Sequence, residues 1–302
     1  MRIFLGLLLW GVFGSCNNTL EVYGDDYVET AVVYGVIDRI QDSQFVRVNK
    51  TFRNTSAASE VLNIYDSLCF EQVSVQLTFL PGTQTVTLIP IPRPGIVSNR
   101  RDLFAIPTSA YDNKAEKVKL IVTNELTGKV FTTTQRILSP PAFSRPFQLL
   151  FTSQLNIIGF TPSNGDSYNG TIRMFYTENT GTGDLDKIFD FPVAQPFYSG
   201  GLHFEIEGKN WMYAAQTILG NGTGKIRKLK SFSFYISAES EDMGDYQQLR
   251  VPSIQIVQKN PLYSNIQDAI GLFTTRGSSE QKNVLPDNGM KLLLKQNLNI
   301  DS

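Results

Sequence analysis

The chain of 302 residues holds one histidine, His203, and two cysteines, Cys16 and Cys69, and this scarcity decides most of its chemistry. A Ser-His-Asp relay would have to run through His203. That residue sits in the alternating run Leu202-His203-Phe204-Glu205-Ile206, and no G-x-S-x-G elbow accompanies it, so it reads as an ordinary strand histidine. Cys69, between Leu68 and Phe70, has no activating base nearby in sequence and reads as a small buried apolar residue. The carboxylates Glu239, Glu241, Asp242 and Asp245 could offer oxygens to Ca²⁺, which takes roughly six to eight. Their spacing fits no known loop, so a solvated turn is expected, and Asp184 and Asp186 are a weaker cluster still. The glycines of Gly220-Asn221-Gly222-Thr223-Gly224-Lys225 suggest a phosphate nest, but the full spacing and a following helix are missing, which favours a hairpin. No catalytic, cofactor-binding or metal residue is assigned, and the chain is expected not to be an enzyme. A cryptic hydrolase would need carboxylates brought about 5–9.5 Å apart.

The clearest chemistry belongs to Cys16. Residues 1–16 read MRIFLGLLLWGVFGSC, with Arg2 as a minimal basic region and an apolar run from Ile3 to Phe13. As a helix this run spans about 16 Å, half the roughly 30 Å of a bilayer core, so it is too short to be a stable span. Its ending, Phe13-Gly14-Ser15-Cys16, resembles the bacterial lipobox, in which the cysteine thiol is diacylated and the leader is cut off before it. Phe13 stands where leucine is commoner, which suits the looser lipoboxes of Bacteroidetes. Cys16 is therefore the candidate lipidation site, carrying palmitate-like chains that would hold the protein on a membrane. An ordinary signal peptide with an incidental cysteine is the alternative. Lipidation would leave Cys69 without a disulfide partner, so stability must come from the size of the core.

Residues 1–15 then form a signal peptide and 16–30 an acidic tether. From Asn17 to Asp38 the chain carries Glu21, Asp25, Asp26, Glu29 and Asp38 and no lysine or arginine. Acidic residues soon after a lipidated cysteine resemble surface-export signals of Bacteroidetes lipoproteins, and a solvated linker explains them equally well. The leaflet, periplasmic or surface-facing, stays open.

The rest alternates with a period of two. Val46-Val48, Val73–Phe79, Val86–Leu88, Val118–Val122, Ile172–Tyr176, Phe232–Ile236 and Ile254–Ile256 read as half-buried strands. Asn164-Gly165, Asn169-Gly170 and Asn221-Gly222 read as turns, and Leu126-Thr127-Gly128 joins the strand-like runs 117–124 and 129–136 as a hairpin. Pro140-Pro141 marks a boundary. The expected fold is all-β: two consecutive antiparallel β-sandwiches of immunoglobulin-like type, at 31–138 and 143–276, then a tail at 277–302. Helical spacing appears only from Trp211 to Leu219 and from Met290 to Leu298.

Composition agrees with a strand-rich chain and narrows the partners. Charged residues make up 18%, and 27 Lys+Arg oppose 28 Asp+Glu, which disfavours nucleic acid. Lys225, Arg227, Lys228 and Lys230 read as a charged sheet edge that discourages aggregation. Among 20 Phe, 12 Tyr and 2 Trp, Phe197, Tyr198 and Trp211 could stack on sugars, although core packing is the default. The sequons at Asn17, Asn49, Asn54, Asn169 and Asn221 are expected by chance in an Asn- and Thr-rich bacterial chain. Asp66-Ser67-Leu68 is similar to an O-glycosylation tripeptide of Bacteroidetes, and otherwise reads as a turn.

Several blocks carry a family resemblance. Tyr34-Gly35-Val36-Ile37, the run Phe45–Phe52, Asp66-Ser67, Met174–Glu178 and above all Pro261–Ile266 through Gly271–Arg276 resemble, in order, a Bacteroidetes lipoprotein family known only as a domain of unknown function. Asp268-Ala269 departs from the Asn-Gly usual there. The resemblance covers roughly residues 31–276 and implies a lipid-anchored outer-membrane protein with β-sandwich domains, often encoded near TonB-dependent receptors. It supplies no catalytic residues. The expectation is an accessory or binding subunit of an outer-membrane complex, with a β-barrel receptor as possible partner. The alternative is a stand-alone surface module that binds a glycan or peptide.

Overall fold

The computed structural model describes residues 29–51, 65–92, 98–112, 114–144, 155–179, 181, 183–193, 196, 202–221, 224–249 and 263–301. The first half contains β1 (Ala31–Asp38), β2 (Ser43–Lys50), the single turn α1 (Tyr65–Leu68), β3 (Val73–Leu80), β4 (Thr85–Thr87), β5 (Ile89–Ile91), β6 (Leu103–Pro107), β7 (Lys117–Asn124) and β8 (Lys129–Arg136). The second half contains β9 (Ala142–Phe143), β10 (Leu155–Thr161), β11 (Ser167–Asn179), β12 (Asp184–Val193), β13 (His203–Glu207) and α2 (Gly208–Leu219). It continues with β14 (Ile226–Glu239), α3 (Glu241–Leu249), β15 (Ile270–Val284), α4 (Asn288–Leu298) and β16 (Ile300–Asp301).

The fold is all-β, as the alternation implies. Val75, Leu77 and Phe79 of β3 and Val118, Leu120 and Val122 of β7 point to one side and are fully buried. They meet Val33, Val46, Val48, Phe104 and Ile106 from β1, β2 and β6 in a single core. Each such side chain contributes about 1.5–3 kcal/mol by leaving water. The four-stranded sheet β4-β3-β7-β8 thus forms one layer of the first sandwich. The β7–β8 hairpin pairs Lys117 with Arg136 through Asn124 with Lys129, the boundaries read from sequence, and Gly128 takes the positive φ of 70° that its turn requires.

In the second sandwich, Ile172 and Met174 of β11 and Phe232, Phe234 and Ile236 of β14 pack against Ile158, Phe160, Phe204 and Ile206 of the three-stranded sheet β13-β10-β9. Helices α2 and α4 close its end with Trp211, Met290, Leu294 and Leu298. Both match the two helices expected from sequence. Asp287 caps α4 by accepting from Met290 N at 2.7 Å.

One nine-stranded sheet serves both sandwiches, in the order β12-β11-β14-β15-β1-β2-β6-β5 with β16 beside β14. Strand β15 makes the join. Its residues 270–276 run parallel to β1, from Val32↔Ile270 to Asp38↔Arg276. From Arg276 onward it pairs antiparallel with β14, from Glu239↔Arg276 to Phe232↔Val284. Residue 276, the boundary expected from sequence, is therefore the hand-over point inside a strand that runs on to Val284. Two glycines let other backbone pass close by. A Cβ on Gly271, whose φ is 123°, would lie 2.0 Å from Val33 O, and one on Gly277 would lie 2.3 Å from Ser139 O.

The readings of Asn169-Gly170 as a turn and of the stretch from Gly220 as a hairpin are corrected. Asn169-Gly170 lies within β11, where a Cβ on Gly170 would press on Phe234 and Phe204 at 3.1 and 3.2 Å, so aromatic packing and not a turn explains this glycine. Asn164-Gly165 links two strands of different sheets, and the Asn164 side chain pins the inter-sandwich connection through Ser139 N (2.7 Å) and Ile137 O (3.1 Å). Asn221 follows the C-terminus of α2 and is not part of a hairpin. The expected strand at Ile254–Ile256 lies outside the described residues.

Candidate functional site

The hand-over between sandwiches is also where charged and aromatic side chains converge. Glu239 ends β14 on the outward side of the sheet and is 2% exposed. It accepts from Arg276 Nη2 (2.8 Å), Asn169 Nδ2 (2.6 Å) and Gln247 Nε2 (3.0 Å). Next to it begins α3. Asp166, from the turn before β11, accepts from the Glu241 N–H at 2.9 Å and from Arg136 Nη2, tying β8 of the first sandwich to this helix. Burial on its own would push the Asp166 carboxyl up, but the Arg136 guanidinium and the helix N–H outweigh it and hold it below the usual carboxylate range.

Asp242 accepts from Tyr263 Oη (2.7 Å) and Asn265 Nδ2 (2.9 Å). The Asn265 amide also takes both backbone groups of Phe273, donating to its O at 2.8 Å and accepting from its N at 3.0 Å, so a side chain acts there as a strand neighbour. Burial, then the adjacent Asp242, pushes the Tyr263 hydroxyl well above its ordinary value. Tyr263 packs edge-on against Tyr246, whose ring lies 6.2 Å from that of Tyr34. A cleft of about 340 Å³ opens here, lined by Gln135, Arg136, Asp166, Ser240, Glu241 and Asp242. Asp166, Glu239 and Asp242 are each committed to donors of the protein itself. The arrangement locks sandwiches together, and it brings together residues of the blocks at 34–37 and 261–276.

This corrects the reading of the acidic cluster as a solvated turn: Glu239 is buried in the sheet, and Glu241, Asp242 and Asp245 belong to the first turns of a helix. The basic stretch is corrected too. Arg227 and Lys228 lie between β11 and β16 and are no sheet edge. Arg227 is 1% exposed. It donates from Nε to Glu178 (2.9 Å), from Nη2 to Leu219 O (2.6 Å), and from Nη1 to Leu298 O (3.0 Å) and Gly220 O (3.3 Å). Gly220 is thus the end of a helix, where exposed carbonyls attract a cation, the opposite of a phosphate nest.

His203 opens β13 and sets Nε2 3.2 Å from Glu205 Oε1. Cys69 is fully buried, and burial pushes its thiol up. Beside it, Asp102 is a fully buried carboxylate that no sequence motif marks. It accepts from Tyr65 Oη (2.7 Å), Arg47 Nε (3.0 Å) and Asn49 Nδ2 (3.5 Å). Asn49 and Asn169 are engaged in these contacts, which does not suit them as sugar acceptors. Asp184 bonds to Asn179, and Asp186 to Lys230. Asp66-Ser67-Leu68 forms a helical turn with Tyr65. Trp211 is buried against Phe232 and Phe189 and is no stacking platform. Cys16, Asn17, Asn54, Phe197 and Tyr198 lie outside the described residues. Among the described residues no group of three or more His, Cys, Asp and Glu could hold a metal ion, and no helix is long and apolar enough to cross a membrane.

No protein-family model matches the chain, and no curated protein does. Among solved structures it is similar to a chain of a cytokine receptor complex in one crystal form, at 12% identity over 68% of this chain and 90% of that one, with a TM-score of 0.27. A second crystal form gives 12% identity over 83% and 96%, with a TM-score of 0.27. The C-terminal globular domain of an oligosaccharyltransferase from Pyrococcus abyssi gives 10% identity over 70% of this chain and 48% of that one, with a TM-score of 0.25. Likenesses at this level carry no functional argument.

Proposed function

We propose that the protein is a lipid-anchored, non-enzymatic component of the bacterial outer membrane, acting as an accessory or binding subunit of an envelope complex with a TonB-dependent receptor as its partner. The observation that carries this reading is the apolar run Ile3–Phe13 ending in Phe13-Gly14-Ser15-Cys16. β1 begins at Ala31. The fourteen residues 17–30 between them can reach about 50 Å when extended, at up to about 3.6 Å per residue, enough to set a sandwich beside a barrel embedded in the same membrane.

The outward side of the shared sheet supports the binding part of the reading. Ile89, Ala105, Phe45 and Val36 stand side by side on neighbouring strands, with Tyr34 one step along. Ile89 is 63%, Phe45 47% and Tyr34 39% exposed, an apolar row of the kind found where proteins meet. A Cys16→Ser variant tests the anchor: acyl label should be lost and the protein released from membranes, and continued tight association would refute the lipid reading. Complexes purified in detergent through this protein should contain an outer-membrane barrel. Their repeated absence would remove the partner.

A further inference from the structure

A second cavity, of about 290 Å³, lies on the first sandwich between the α1–β3 connection and β5–β6, away from the seam described above. Phe70 and Phe104 of the core form its floor with half-buried Val73. Its rim carries two arginines. Arg100 is spent, giving Nη1 to Asp66 O (2.7 Å) and Nη2 to Glu71 Oε1 (2.8 Å). Arg101 is different: its Nη1 donates to the carbonyls of Ser98 and Arg100, which fixes the guanidinium, while its Nε–Nη2 edge makes no bond among the described residues. Across the cavity Glu125, in the β7–β8 turn, makes no side-chain bond among the described residues.

We propose that this cavity binds the carboxylate end of a small molecule with an apolar body. An arginine Nε–Nη2 edge presents two parallel N–H donors at the spacing of a planar carboxylate's two oxygens. The Phe70 and Phe104 floor takes the apolar portion. Since Glu71 already neutralises Arg100, one uncommitted cation faces one uncommitted anion, which disfavours phosphates and dicarboxylates. The volume falls at the small end of ligand sites, room for about one amino-acid residue. Two sources share this chemistry: a free apolar amino acid, whose ammonium group Glu125 would receive, and the C-terminus of a peptide chain.

Titration calorimetry on the full-length purified protein with L-leucine, N-acetyl-L-leucine and N-acetyl-L-leucinamide tests it. At least one of the two acids should bind, and the amide should bind about tenfold more weakly or not at all. Binding of N-acetyl-leucine assigns the site to chain termini. Binding of leucine alone, weakened by Glu125→Gln, assigns it to the free amino acid. An Arg101→Gln variant with an unchanged melting temperature should lose about tenfold or more in affinity for the acid. Absence of binding by both acids, or equal binding of acid and amide, overturns the proposal; the acid-to-amide comparison uses the unaltered protein, so it stands even if Arg101→Gln fails to fold.

Discussion

Arg227 and Glu178 meet across neighbouring strands at 2.9 Å, and the same guanidinium donates to the last carbonyls of both α2 and α4. A single buried cation thereby fastens two helices and β16 to the second sandwich. With Lys225 adding a second contact to Glu178, the carboxylate is compensated from both sides. Replacing Arg227 with Met should cost about 3–5 kcal/mol, because it strands a buried carboxylate and uncaps two helix ends. Urea denaturation measures the loss. Hydrogen exchange should locate it, with amides of 288–301 losing protection before those of β3 and β7.

The same pair sets an acid limit. Burial alone would push the Glu178 carboxyl up, but hydrogen bonds from Arg227 and Lys225 dominate and hold it below its ordinary value. A carboxyl lowered on folding stabilises the native state above its unfolded pKa of about 4.3, and that contribution fades as pH falls through the lower folded value. Asp166, lowered by Arg136 and the Glu241 N–H against the opposing effect of burial, adds in the same direction. Denaturation midpoints should therefore drop as pH falls below about 4.3. Glu178→Gln should flatten that fall, and an equally steep profile in the variant would contradict the assignment.

Gly271→Ala should be among the most damaging small substitutions, at about 2–4 kcal/mol. The alanine would meet the Val33 carbonyl at 2.0 Å in a backbone region open essentially to glycine. Since this is where β15 lies beside β1, unfolding followed by both intrinsic fluorescence and circular dichroism should separate into two transitions in the variant. A change within about 0.5 kcal/mol would show that the two strands part without cost.

Cys69 should be silent in the native protein. It is fully buried, and burial pushes its thiol up, so little thiolate is exposed to a reagent. Its labelling by an aromatic disulfide at neutral pH should await unfolding and speed up by about a thousandfold or more in denaturant. Fast labelling without denaturant would mean that α1 opens readily.

What the sequence disclosed was what local pattern can carry. Alternation located β3, β7, β11 and β14, because one face of each is buried and the other is not, and turn chemistry at Leu126-Thr127-Gly128 located β8. Trp211–Leu219 and Met290–Leu298 were visible through helical spacing for the same reason. The misreadings share another cause. Arg227 and Lys228 look like an edge until β16, more than 70 residues later, is seen beside them. Asn169-Gly170 looks like a turn until Phe204 and Phe234 supply the reason for a glycine. Glu239 looks solvated until Arg276 reaches it. In each case the deciding partner is distant in sequence, and charge without a partner reads as surface.

The β1–β15 pairing also governs when the molecule can fold. Val33 and Gly271 are 238 positions apart, so β1, first of the described strands to leave the ribosome, keeps one side open until nearly the whole chain has been made. Pairing between such distant segments is slow to form. The sheet is therefore completed only after residues 270–276 have been made. Nascent chains stalled before residue 270 should remain open to protease along β1, and full-length chains should close.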